Sequence, residues 1–295
     1  MFPNTEKYFK KNQKKYSMQK LFITISLLCF SIGFSQDIKP SSGKYTAHNK
    51  GKMYFYWGGN RDSYTKSDIH FKGANYDFTL YDVAAVDRPV GWHIDYINPA
   101  KMTIPQTNFR VGYFINDHYN ISIGVDHMKY VMVQNQSARI SGTYPNLYNS
   151  TVINNGYVDL SDESFLTFEH TDGLNYVNSE FSRVDDISKL FKINDTDKIQ
   201  ISLTEGIGAG VLYPKTNVML MRKERHDDFN IAGYGFSVKA GLNITFFKHY
   251  FIQGELKGGY INMPNIKTTF DNADSASQNF MFFQKIIAFG GIFQL

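Results

Sequence analysis

Along most of the chain apolar and polar residues alternate one by one, most cleanly from Ile231 to Phe246. Ala232, Tyr234, Phe236, Val238, Ala240, Leu242, Ile244 and Phe246 form one face, and Gly233, Gly235, Ser237, Lys239, Gly241, Asn243 and Thr245 the other. A period of two marks a β-strand whose two faces meet different surroundings. This run is 16 residues long, well beyond the five or six usual for a strand in a soluble protein. A strand tilted through a bilayer takes about ten residues plus extensions beyond the surface. The pattern recurs in Tyr250–Tyr260 after a turn at Phe247-Lys248-His249, and in Phe109–Ile115 and Tyr119–Val125 around Asn116-Asp117. It continues in Ile199–Val211 and, more weakly, in Met53–Asn60, Leu174–Ile187 and Phe280–Leu295.

Counted back from the C-terminus, the pattern predicts strands at 278–295, 250–264, 230–247, 198–213, 173–188, 119–134, 105–116 and 51–60. These make an all-β fold, an antiparallel up-and-down transmembrane barrel of eight strands with both termini at one end. Long connections, 61–104, 135–172, 214–229 and 265–277, fall at the other end. Within the first, Ser67–Lys72 and Tyr76–Ala85 flank Gly73-Ala74-Asn75 and read as a strand pair outside the ring; were they to span, the count would be ten. A soluble sandwich also alternates, but its polar face is rich in Lys and Glu, whereas this one is rich in Gly, Ser and Asn, as a crowded interior requires. Aromatics also gather at strand ends like two interfacial girdles: Tyr113, Tyr119, Phe246, Tyr250 and Phe293 near the short turns, and Tyr130, Tyr213, Tyr234 and Tyr260 near the long connections.

An eight-stranded barrel is filled by its own side chains. The inward phase supplies Arg110, Asp126, Glu180, Lys239, Glu255 and Lys257, three of each sign. Charges in a tight interior are costly unless paired, so a salt-bridge network is expected, with an ion pathway as the alternative. Glu205 falls in the outward phase, and a bulge at Glu205-Gly206 is expected to turn it inward.

Charge and composition change the picture at the N-terminus. The formal net charge is +4, but residues 1–35 hold six Lys and one Glu; without them 25 basic side chains face 26 acidic ones, a net charge of −1. The electrostatic motive for nucleic-acid binding disappears. Met18-Gln19-Lys20 precedes an apolar run of 14 residues, Leu21–Phe34, the core of a signal peptide. Gly33 and Ser35 are small at the −3 and −1 positions of a cut before Gln36, and Met18 is the expected true start. The expected organisation is a signal peptide at 1–35, a short periplasmic segment at 36–50 and the barrel at 51–295. The single cysteine, Cys29, leaves with the leader, which excludes thiol catalysis.

The leader, the alternating strands and the ending Phe289-Gly-Gly-Ile-Phe293-Gln-Leu295 resemble the small outer-membrane β-barrel proteins of Gram-negative bacteria. The Lys/Asn/Ile-rich style and the Phe34-Ser35-Gln36 junction resemble secreted proteins of the Bacteroidota. The resemblance implies an integral outer-membrane location, insertion by the barrel-assembly machinery and contact with outer-membrane lipid and lipopolysaccharide. It also leaves room for a protein or glycan partner at the extracellular loops. The chain departs from the usual assembly signal by ending in Leu295 rather than an aromatic.

Catalytic and nucleotide-binding motifs are absent, and no cofactor or metal site is expected; Asp162-Glu163 lacks the spacing of a calcium loop. The densest polar constellation is Glu169-His170-Thr171-Asp172, with Ser179 and Ser182 farther along. Glu169 and His170 are weak candidates for acid–base work in a lipid A acyl hydrolase or transferase. His127, Lys129, Arg222, Lys223 and Arg225 are candidate contacts for lipopolysaccharide phosphates. The leading expectation is a non-enzymatic barrel with a filled lumen, displaying loops for envelope integrity, adhesion or partner binding. A lipid-modifying enzyme and a narrow channel are the alternatives.

Overall fold

A computed structural model of the chain describes residues 48–89, 106–145, 153–154 and 156–294. The expected signal peptide and nearly all of segment 36–50 lie outside them. Among the described residues eight long strands close a ring: β1 (Lys52–Tyr64), β5 (Thr107–Phe114), β6 (Tyr119–Met132), β10 (Leu166–Asp186), β11 (Ile199–Leu212), β13 (Gly233–Phe246), β14 (Tyr250–Lys267) and β15 (Ser275–Gln294). Each pairs antiparallel with the next, and β15 returns to β1 in unbroken register from Lys52↔Gln294 to Tyr64↔Phe282. That closure removes every strand edge from the wall. Eight is therefore the strand number.

The segments Ser67–Lys72 and Tyr76–Ala85 stay outside the ring. They form β2 (Ser67–Gly73) and β3 (Tyr76–Val83), and β2 pairs with the first four residues of β15. Beyond β3 the sheet continues through β7 (Ser137–Thr143), β9 (Tyr157–Asp159) and β8 (Ile153–Asn154). Two short strands, β4 (Ala85–Val86) and β12 (Asn217–Leu220), pair with β6 and β10. Stretch 135–172 is thus not one long connection: its described residues hold three strands, β7, β8 and β9, plus the start of β10, which begins at Leu166 rather than 173. Elements of two to seven residues are too short for alternation to reveal, because their partners lie far away in sequence.

The lumen changes character along its axis. Inward positions are polar through Asp126, Asn178, Lys257 and Gln284. Farther toward the long connections, on the same strands, they become Met128, Tyr130 and Met132; Tyr176 and Leu174; Ile261 and Met263; Phe282 and Phe280. These join Phe71, Phe78 and Leu80 from β2 and β3, and Phe165, Phe168 and Leu220, in one apolar core. Where the apolar belt lies outside, the inside is mostly polar, with one smaller apolar cluster around Tyr54, Phe114, Phe251 and Ile286; where the wall rises above the belt, the main apolar core forms inside. The period stays two while the polarity reverses. Tyr130, read above as a girdle residue, is consequently fully buried in this cap. A break in register between His170 and Leu174, with Gly173 at φ +140°, separates the cap part of β10 from its lower part, Leu174–Asp186; glycine takes that backbone geometry without the strain a Cβ would bring.

Outside the polar-lumen segment runs a belt of exposed apolar side chains, among them Ile123, Val238, Leu256, Ile287 and Phe289. Tyr119 stacks on Phe181 at one margin and Tyr213 on Phe229 at the other, with ring centroids 5.4 Å and 5.3 Å apart. Apolar outside, polar inside and closed is the arrangement of a transmembrane barrel. Charges interrupt the belt at two cross-strand positions, Arg61↔Lys285 and Arg183↔Glu205. Long aliphatic stems let such heads reach toward an interface. The bulge expected at Glu205-Gly206 does not occur: register is continuous on both sides, and Glu205 faces outward opposite Arg183. Arg183 is its cross-strand neighbour, with the guanidinium itself held by Asp185 at 2.6 Å.

Candidate functional site

The inward parity of five strands delivers six charged side chains to one level of the lumen, all of them buried. Glu180 is the hub. Its Oε1 lies 3.0 Å from Arg110 Nη2 and 2.8 Å from Lys257 Nζ, and its Oε2 lies 2.6 Å from Lys239 Nζ. Asp126 Oδ2 pairs with Lys257 at 2.8 Å and with Arg110 at 3.7 Å; Glu255 pairs with Lys239 at 3.1 Å and Lys257 at 3.6 Å. Three cations thus meet three anions. Glycine supplies the room: a Cβ at Gly124 would stand 2.4 Å from Phe109 O and 3.1 Å from the Arg110 side chain.

Neutral partners complete the cluster. Arg110 donates to Tyr56 Oη at 3.1 Å and to Asn178 Oδ1 at 2.8 Å, while Asn108 Nδ2 donates to Asp126 Oδ1 at 2.7 Å. The sequence reading missed Tyr56, Asn108, Asn178 and Gln284; their inward parity was the available signal. Toward the short turns a cavity of about 60 Å³ remains, lined by Lys52, Tyr54, Gln200, Asn243 and Gln253 among others. It ends at the ion cluster, above which the apolar cap fills the barrel.

The other candidate residues are scattered. Glu169 and His170 project to opposite faces of β10. Glu169 is held by Arg88, 3.2 Å away, and by donors from Thr171 and Asn217. His170 is sealed in the cap, its Nδ1 2.8 Å from Thr216 Oγ1 and its ring edge-on to Phe168. Burial pushes its pKa down to about 3, with Gln278 opposing. Ser179 faces the exposed belt and Ser182 the lumen. Neither serine bonds to Glu169 or His170; the hydroxyls that do are those of Thr171 and Thr216.

Neither His127 nor Lys129 is open to headgroups: they are 3% and 7% exposed. Chain leaving β4 passes this face, bringing Asp87 and Arg88 near Lys129, and His127 Nδ1 lies 2.7 Å from Asn175 Oδ1. Lys223 is turned into a latch, 2.7 Å and 3.0 Å from the two oxygens of Asp274 and above the Tyr76 ring. Arg222 and Arg225 remain exposed, and Arg225 donates to Asn217 at 2.8 Å.

No protein-family model matches the chain, and no curated protein matches it in sequence. Among solved structures it is similar to the outer-membrane protein OprG of Pseudomonas aeruginosa, at 9% identity and a TM-score of 0.36 over 84% of this chain and 98% of that one. It is also similar to the attachment invasion locus protein Ail of Yersinia pestis, at 10% identity and a TM-score of 0.29 over 83% and 99%. Neisserial surface protein A is 8% identical, with a TM-score of 0.27 over 80% and 96%. The barrel itself stands on its strand register.

Proposed function

We propose that the protein is a non-enzymatic integral outer-membrane barrel that carries a rigid β-domain on the cell surface. The observation supporting this most is the closed wall with an apolar belt outside, an ionic plug inside and an apolar cap above. A belt of that kind belongs in a bilayer, since exposed apolar surface this continuous is unfavourable in water. The short-turn end with the C-terminus faces the periplasm, and the cap faces outward. Two barriers in series, ionic and apolar, leave no route for solute, which favours display over conduction.

The contact surface in this reading is the outer face of β3 and β7. There Arg139 lies 3.7 Å over the Tyr81 ring, and Tyr81 Oη is 2.8 Å from Ser141 Oγ. Aromatic and Arg side chains held on a flat strand pair suit recognition of a protein or glycan. Such a partner accounts for adhesion or envelope integrity without chemistry.

Cysteine scanning tests the reading. A membrane-impermeant maleimide on intact cells should label Ser141→Cys and spare Lys189→Cys at the short-turn end. Labelling of Lys189→Cys but not Ser141→Cys, or of neither, would overturn the placement. Single-channel currents from the purified protein would overturn the plugged lumen.

A further inference from the structure

Where polar lumen gives way to apolar cap, the side-chain orientations are forced one after another. Asn108 must donate to the Asp126 carboxylate, so its Oδ1 is left to accept from Asn60 Nδ2, at 2.8 Å. Asn60 Nδ2 also donates to His127 O at 3.1 Å, which leaves Asn60 Oδ1 aimed at Gln106. The Gln106 amide nitrogen then faces three acceptors: Asn60 Oδ1 at 3.2 Å, Asp62 Oδ2 at 3.1 Å and Asp87 Oδ1 at 2.6 Å. An amide carries two hydrogens. Three oxygens, two from carboxylates, share them.

Among the described residues positive charge inside the wall is short at this point. Asp62 Oδ1 is buried without an aligned hydrogen bond, the Gln284 amide lying beside it. Gln106 Oε1 is buried with no partner, although Gln106 is fully enclosed. The Asp62 and Asp87 carboxyls adjoin, the Asp62 N–H donating to Asp87 Oδ2 at 2.9 Å. Arg61 is one cation nearby. Lys129 and Arg88 are also nearby, Arg88 being held by Glu169 at 3.2 Å. Both Arg61 and Lys129 lie in the outward phase of their strands, whereas the shortage is inside the wall.

We propose that Asp62, Asp87, Asn60 and Gln106 form a binding site for a hard divalent cation such as calcium. The three oxygens gathered about the Gln106 nitrogen are ones an ion could share. Turning that amide over replaces its N–H donors by Oε1 and brings the buried, partnerless oxygen into service. Two carboxylates and two amide oxygens are the donor types calcium takes, with water filling the remaining positions. Among the described residues no group of three His, Cys, Asp or Glu is placed to hold a metal ion, and these four ligands include no His or Cys, so a softer metal has no ligand set here. Asp87 is half-exposed, which provides the way in.

Terbium replaces calcium and luminesces when excited through a nearby tyrosine; Tyr64 Oη lies 3.4 Å from Asp62 Oδ2. The full chain refolded in detergent should give tyrosine-sensitised terbium emission that calcium displaces. Asp87→Asn and Asp62→Asn should each weaken binding at least tenfold, and the double variant should abolish it. Asp162→Asn, on a remote exposed turn, should change nothing. No emission from the wild type, or emission that survives in the double variant, would overturn the site. Should Asp62→Asn fail to fold, the half-exposed Asp87→Asn decides alone, with unaltered affinity counting against the proposal.

Discussion

Replacing Glu180 by Gln keeps the shape of the lumen and removes one charge from its centre. In the native cluster Arg110, Lys239 and Lys257 balance Asp126, Glu180 and Glu255, and each cation lies within 3.0 Å of a Glu180 oxygen. Glu180→Gln leaves three cations against two anions, all buried. Breaking a buried ion pair on one side typically costs about 3–5 kcal/mol, because the orphaned charge is neither solvated nor paired. The full value is expected here, since Glu180 joins three pairs and its carboxylate is 1% exposed. Unfolding of the micelle-refolded barrel in urea, read by the mobility difference between boiled and unboiled samples, measures the loss. Glu180→Gln/Lys239→Met returns the cluster to two cations and two anions and should recover part of it, the signature of coupled sites. A Glu180→Gln loss below about 1 kcal/mol, outside the range for a broken buried pair, would refute the network as a source of stability. Neither variant should conduct, because the apolar cap lies in series with the cluster.

Three further outcomes are expected. His170 is neutral in the folded cap, its pKa depressed from 6.5 to about 3; the unfolded chain binds a proton below pH ~6.5 that the folded one refuses, so stability falls by roughly 1.4 kcal/mol per pH unit below that value. His170→Phe should flatten this slope in urea unfolding between pH 7 and 5, and an unchanged slope would refute the assignment. Lys223→Met strands Asp274, whose carboxyl burial pushes up but Lys223 and Thr269 hold below its ordinary range. A loss of about 1–3 kcal/mol is expected, discounted because Lys223 is one-third exposed, and faster proteolysis within the cap should report it. Phe78→Ala, which removes a ring packed on Phe71, Tyr76 and Phe165, should cost about 3–5 kcal/mol. Protease resistance of the cap equal to wild type would contradict it.

The barrel and the ion cluster were legible because a strand repeats every two residues: once Phe236 and Val238 are outward, Lys239 has to be inward. The same rule misplaced Tyr130. Its parity is that of Asp126, but beyond Asp126 an apolar residue no longer signals the outside. His127 and Lys129 share the outward parity of Ile123, and parity does not show their neighbours from other segments, Asn175 beside His127 and Asp87 and Arg88 beside Lys129. Glu205 was assigned a bulge because its partner was invisible; Arg183 becomes its neighbour only when β10 and β11 pair. The cation site was hidden for a like reason, since Asn60, Asp87 and Gln106 come from three separate segments and two of the four ligands are amides.

β15 is the last strand to be made, and it does two jobs: its lower part closes the ring against β1, and its first four residues hold β2. Gln278 donates to Ser67 across 211 residues of chain. Such distant contacts carry a large loop-closure cost and slow folding. The β2–β3 hairpin can pair with β7 through its β3 edge early, but its β2 edge has no place on the wall until β15 is made. A chain arrested before residue 275 lacks wall closure and cap docking together, so both should appear in a single kinetic phase during insertion, with no capped intermediate before it.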